Sequence, residues 1–332
     1  MNSKLRIALG VIGLILLGVL YKYQSSITNW FDKTIDKEVV TKPEARVGVG
    51  STLSTTTNES TSLCDKPFEY IEAEDGVRKG VIEVGSKGFN AFAVMVDADK
   101  NYKVTYKEFG ESLAYEGFAT TDDVVKKLRY YIAKLSDQGV NSRNIHFIFS
   151  SGALKNPKTQ IVATAISKMG YTVNKATAEQ EGKYAFKANV PQQFVNNSLS
   201  VDIGSGNTKI TYSENGVLKT FETYGAKYAT ENVSDKQVQE DIEKLASKIP
   251  TAYRSNMFII GGVPYSFAKK TCESGQRYIS LQSPENYTDS GKDVRYQSGL
   301  NIYKTLYNSL KPKSVVFDYD ANFTIGFLTS LK

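Results

Sequence analysis

One histidine and two cysteines are all that the 332 residues offer, and each scarcity narrows the chemistry. The lone histidine, His146, stands inside the apolar run Asn144-Ile-His-Phe-Ile-Phe149. A satisfied strand histidine is expected there, so a triad built on a histidine base is not. Cys64 and Cys272 are too few and too far apart for a disulfide scaffold, and neither has a metal-ligand partner at zinc spacing. Lys and Arg exceed Asp and Glu by 41 to 35, yet no basic run concentrates them. That pattern describes a solvated surface, and no nucleic acid partner is expected.

Only one long apolar run is present, Ile7 to Leu20, preceded by Lys4 and Arg6. Its length suits a signal-peptide core or a short membrane anchor. No small-x-small cleavage site follows it. Tyr21, Tyr23 and Trp30 come instead, rings that settle at a membrane interface. The expectation is an uncleaved single-pass anchor over residues 1–23, touching the membrane through 7–23, with the soluble part on the outer, extracytoplasmic side.

Residues 24–77 read as a tether, most clearly in the polar tract Ser51-Thr-Leu-Ser-Thr-Thr-Thr-Asn-Glu-Ser-Thr-Ser62, which cannot bury enough surface to order itself. Beyond it, short β-branched and aromatic runs alternate with amphipathic segments. Strands are expected at Val81–Gly85, Phe89–Val96, Tyr102–Phe109, Ile145–Phe149 and Tyr171–Asn174. Helices are expected at Asp122–Ser136, Lys158–Met169 and Ala178–Ala188. The order then recurs: strands Leu199–Ile203, Thr208–Ser213 and Leu218–Tyr224, a helix Asp235–Ser247 behind a Ser234 cap, a strand Phe258–Ile260 and a helix from Pro264. Residues 273–295 read as a loop, and Tyr296–Leu310, Ser314–Phe317 and Ala321–Leu331 close the chain as helix, strand and helix.

The recurrence holds at residue level. Val81-Ile-Glu-Val-Gly-Ser86 lies over Ser200-Val-Asp-Ile-Gly-Ser205, with acid, glycine and serine in register. Two copies are too few for a solenoid, so two facing lobes are expected, 78–195 and 196–332. Glycine after a strand frees backbone N–H groups and lets a bulky anion approach. Gly85, Ser86 and Lys87 in the first loop, and Gly204, Ser205, Gly206 and Asn207 in the second, are therefore candidate phosphate ligands. Glu83 and Asp202, each just before its glycine, could hold a Mg2+ ion beside phosphate.

With these motifs assembled, the chain from about Arg78 resembles the exopolyphosphatase and guanosine-pentaphosphate phosphohydrolase (Ppx/GppA) family, within the actin, hexokinase and Hsp70 superfamily. Glu83-Val-Gly-Ser-Lys-Gly-Phe89 is similar to that family's first phosphate loop, and Asp202-Ile-Gly-Ser-Gly-Asn-Thr-Lys209 to its second. Phe149-Ser-Ser-Gly-Ala-Leu-Lys155 is similar to the strand end between them, and Gly261-Gly262 to a later turn. The resemblance implies an α/β fold of duplicated ribonuclease H-like (actin-like ATPase) type, with two lobes around a phosphate-binding cleft. It places Glu181, in Gln180-Glu-Gly-Lys183, in the role of catalytic base. It implies polyphosphate or a nucleotide as ligand, with Mg2+. The pattern departs from the family at Glu83, Gln180 and Lys209, where acids are lengthened or lost, and Lys87, Lys155, Lys183 and Lys209 gather near the expected cleft.

Three readings follow. Glu181 activates water in a phosphoanhydride hydrolase, with the loops and lysines clamping phosphate. Alternatively, the chain is a degenerate membrane-tethered module that holds a nucleotide or anion, or assembles with a partner, without turnover. The third is an actin-like ATPase that polymerises, a homo-oligomer on the other side of the membrane.

Overall fold

The computed structural model describes residues 64–331 apart from 86–87, 111–120, 273–274 and 289–292. The anchor expected at 1–23 and the tether as far as residue 63 lie outside the described residues, as do Ser86 and Lys87. Among the described residues no helix is long and apolar enough to cross a membrane.

The described chain is a two-lobed α/β fold with a mixed sheet in each lobe. In the first, β1 (Val77–Gly85), β2 (Gly88–Val96) and β3 (Tyr102–Phe109) form an antiparallel meander. Then β4 (Ile145–Phe149) and β5 (Val173–Lys175) add to β1 in parallel, giving the order β3-β2-β1-β4-β5. Parallel addition needs crossover helices, supplied here by α1 (Thr121–Asp137) and α2 (Thr159–Lys168). α1 buries Val124, Leu128, Tyr131 and Leu135, one helical stripe, against the β1 face that carries Ile82 and Val84. Gly170 stops the next helix in the left-handed conformation, φ 83°.

After α3 (Ala178–Asn189), the second meander is β6 (Ser198–Ile203), β7 (Asn207–Glu214) and β8 (Val217–Tyr224). Asn215 and Gly216 turn β7 into β8 with φ 52° and 78°, the paired left-handed conformation that a two-residue hairpin requires. α4 (Asp235–Ser247) starts at the Ser234 cap, where Ser234 and Gln237 satisfy each other's backbone N–H. β9 (Asn256–Ile260), α5 (Gly262–Thr271), β10 (Tyr278–Ser280), α6 (Val294–Leu310), β11 (Ser314–Asp318) and α7 (Phe323–Ser330) complete the chain. The second sheet runs β10-β11-β9-β6-β7-β8. Read outward from its first long strand, it repeats the five-strand order of the first sheet.

The expected strands Tyr102–Phe109 and Ile145–Phe149 and the helix Asp235–Ser247 have the bounds read from the residues. The loop expected at 273–295 does not hold throughout. Tyr278–Ser280 pairs antiparallel with β11 as an added edge strand. Three residues carry no readable alternation, and its place is set by Arg277. That side chain is 7% exposed and its guanidinium meets the buried Asp318 carboxylate at 3.0 Å. It also donates to the carbonyls of Tyr102, in the first lobe, and Ala188, at the end of α3. Arg277 lies 4.1 Å from the centre of the Tyr102 ring, so a cation, its counter-ion and an aromatic face are buried together.

Two helices join the lobes. α3 packs on β6, β7 and β8 of the second sheet, and α7, the last helix, packs on α3 and on β1 and β2 of the first. Contact is close enough to demand glycine. A Cβ on Gly326 would lie 1.8 Å from the Tyr184 carbonyl oxygen, and one on Gly182 would lie 2.5 Å from the Thr220 methyl.

Residues 64–76, at the end of the expected tether, are fastened down. Phe68 sits among Phe194, Phe258 and Tyr278 with ring centres 4.8–5.9 Å away, and Gln193 donates to the Glu69 carbonyl. Cys64 and Cys272, too distant in sequence to suggest a scaffold, are joined as a single disulfide across 208 residues. Folding, not spacing, brings them together.

Two measurements check this packing. Gly326→Ala should cost about 3 kcal/mol or more in chemical unfolding, since the obstacle is backbone, whereas Gly206→Ala, with open space around it, should cost little. Cys272→Ser should lower stability by about 2–4 kcal/mol, and an unchanged unfolding midpoint would mean the bond contributes nothing.

Candidate functional site

The two Gly-bearing hairpins set the geometry by their register. In the first, Glu83 lies directly across from Asn90, and in the second, Asp202 lies directly across from Lys209. Cross-strand partners on one face are close enough to bond, and here each does. Asn90 donates to Glu83 Oε2 at 2.9 Å, and Lys209 Nζ lies 3.5 Å from Asp202 Oδ2.

The third acid arrives on α3. Thr177 caps that helix, and Gln180 returns the bond to the Thr177 backbone N–H. Gln180, where the family resemblance has an acid, is thus engaged in capping the start of the helix. Glu181 follows in the first turn, where the helix dipole favours negative charge. The neighbouring Gly182 lets α3 settle onto Thr211 and Thr220, and this carries Glu181 to Lys209. Its Oε2 lies 2.7 Å from Lys209 Nζ, and its Oε1 accepts the Ser151 N–H from the turn after β4. Both oxygens of the expected base are engaged, and the residue is 2% exposed.

Four ionisable side chains therefore share one nearly dry space. Burial pushes the Glu83 carboxyl up from 4.5 to about 7, the Asn90 bond opposing and the charges of Glu181 and Asp202 assisting. Burial raises Asp202 as well, against the pull of Lys209. For Lys209, burial disfavours the charge, but Asp202 and Glu181 outweigh it and hold its pKa above the ordinary lysine value. Among the described residues no group of three or more His, Cys, Asp or Glu side chains is arranged to hold a metal ion.

The second loop is tightly tied. Gly204 N–H donates to the Asn207 carbonyl, and the Gly204 and Ser205 carbonyls accept from Ala226 and Lys227. The Asn207 side-chain amide donates to Glu222 at 2.7 Å. Gly206 and Gly262 face open space, while Gly261, at φ 119°, passes so close to Ile203 that a Cβ would sit 2.3 Å from its carbonyl oxygen. Gly261 thus brings the start of α5 against the loop that Gly204 begins.

Of the described lysines expected to gather, only Lys209 is placed with these acids. Lys183 pairs with Glu179 on its own helix at 2.6 Å, Lys155 is exposed, and Lys87 lies outside the described residues. His146 is half-buried within β4, as a strand histidine. Asn90 and Ser151 were not anticipated. Hairpin register, counted from Gly85, would have found Asn90; Ser151 lies in the strand end Phe149-Ser-Ser-Gly-Ala-Leu-Lys155, but its pairing with Glu181 is not written there. A cavity of about 580 Å3 lies at the other end of α3, lined by Lys100, Lys187 and Arg277 among others, and includes none of the four charged groups.

Comparison with solved structures places this architecture. The type II variant of the Aquifex aeolicus Ppx/GppA phosphatase superposes with a TM-score of 0.55 at 14% identity, over 76% of this chain and 99% of that one. A second structure of the Aquifex aeolicus family member also gives 0.55, at 15% identity over 76% and 97%. An exopolyphosphatase from Cytophaga hutchinsonii gives 0.53 at 14% identity, over 77% and 99%. At such identities the likeness is one of fold: the chain has the two-lobed α/β fold of the Ppx/GppA phosphatases. No family model and no curated protein sequence matches it.

The raised Glu83 pKa has a direct consequence. Between its ordinary value and about 7 the folded state holds a proton that the unfolded state has released, so stability falls as pH rises through that window. The loss from Glu83 is about 3 kcal/mol at 1.4 kcal/mol per unit. Urea unfolding from pH 5 to 7 should show the decline, and Glu83→Gln should flatten it. A slope that survives the substitution would remove Glu83 as its source.

Proposed function

We propose that the chain is a catalytically degenerate member of the Ppx/GppA-like group, a module of duplicated ribonuclease H-like fold. It holds polyphosphate or a nucleotide through the Gly204–Asn207 and Gly261–Gly262 turns and does not hydrolyse it. The repeated strand order of the two sheets supports the duplication. The observation that carries the rest is Glu181, whose Oε2 is 2.7 Å from the Lys209 ammonium. A general base needs a lone pair facing water and a proton affinity near that of its task. A carboxylate paired with a buried ammonium, with its other oxygen on the Ser151 N–H, has its charge spent in holding the lobe together. The exposed glycines leave room for an anion on the same turns, independently of that base.

The proposed setting is a single-pass anchor at residues 7–23 with the lobes on the outer side of the membrane. The disulfide between Cys64 and Cys272 favours that side, because such bonds persist in oxidising compartments.

A hydrolytic reading retains one supporting observation: Glu83, Glu181 and Asp202 feel one another's charge, as acids of one active centre would. Purified full-length protein distinguishes the two. With polyphosphate or nucleoside triphosphate and Mg2+ we expect no phosphate release, and a melting temperature raised by the ligand that falls back with added salt. Phosphate release that Glu181→Gln abolishes would overturn the proposal.

A further inference from the structure

We infer that Lys209 is the resident cation of the acidic site, taking the place that a divalent metal would hold between Asp202 and Glu181. This rests on the proposed anion-binding reading and adds that binding there is independent of metal. The donors decide the matter. A small divalent ion beside phosphate is held by carboxylate oxygens that face it, and the two that face this space are bound already, at 2.7 Å from Glu181 and 3.5 Å from Asp202, by one ammonium. Lys209 is 6% exposed, so its charge is not withdrawn into solvent. A second cation would have to displace it against both carboxylates. The remaining acid, Glu83, is turned to Asn90. The residues present thus suit a covalently attached monovalent cation and do not suit Mg2+ on Glu83 and Asp202. One position determines this specificity. Removing the lysine would leave two buried carboxylates facing an empty space, the arrangement that recruits a metal.

The experiment titrates the full-length protein with Mn2+, reading free ion by electron paramagnetic resonance, with Lys209→Ala and Lys209→Ala/Asp202→Asn beside it. The wild type should take up no ion at this site, and neither EDTA nor millimolar Mg2+ should move its melting temperature. Lys209→Ala should gain one Mn2+ per chain and melt higher in its presence, and the double variant should lose that uptake. Should Lys209→Ala fail to fold alone, Mn2+ should restore its folded signal; a variant left unfolded in Mn2+ overturns the inference. So does uptake by the wild type of one Mn2+ per chain that the double variant lacks, even if the protein is inert toward phosphoanhydrides. Phosphate release by the wild type that persists in EDTA would instead overturn the non-hydrolytic reading and leave the role of Lys209 standing.

Discussion

Lys209 carries its charge into a space almost closed to water, and Glu181 and Asp202 meet it there. Desolvating three charges costs several kcal/mol apiece before any attraction is counted. The arrangement persists only if every partner is held in place. Asp202 is held by the β6–β7 register, and Glu181 by a helix that must cross from the first half of the chain to the second sheet. That crossing depends in turn on Gly182, because any larger residue would lift α3 off Thr211 and Thr220. The site and the joining of the lobes are consequences of one packing arrangement.

A second buried ion pair lies near the other end of the same helix. Arg277 and Asp318 face each other within the second lobe, and Arg277 also reaches the carbonyls of Ala188 and Tyr102. Tyr102 itself donates to Ala188 at 2.8 Å. α3 is therefore bound by charge in its first turn and at its last carbonyls, with apolar contact to α7 between. The strap of residues 64–76 covers the neighbouring aromatic cluster and is tied at Cys64. Buried ion pairs add less net stability than their geometry suggests. Here their effect is to define one register of helix against sheet, since any slip leaves a charge unpaired.

These contacts change what the family likeness means for chemistry. The fold brings three acids into mutual influence, two from the loops and one from the resemblance, but a lysine and a backbone N–H occupy the one expected to act as base. A single residue, Lys209 where the motif resembled carries an acid, puts an ammonium between Glu181 and Asp202.

Much of the fold was legible because its signals are local. Alternation in Tyr102–Phe109, the Ser234 cap and the Asn215-Gly216 turn report backbone geometry that the neighbouring residues dictate, and the structure carries each of them. The internal repeat of acid-aliphatic-Gly-Ser likewise pointed to Glu83 and Asp202 before either could be placed, and the family resemblance added Glu181. What local pattern does not encode is partnership across distance. Ser151 and Glu181 lie 30 residues apart, Arg277 and Asp318 lie 41 apart, and Cys64 and Cys272 lie 208 apart. By itself, then, the sequence determined the two-lobed plan and the residue types around the loops, since these depend on short-range periodicity and turn chemistry. Which carboxylates Lys209 would meet depended on where α3 came to rest, and only tertiary packing decides that.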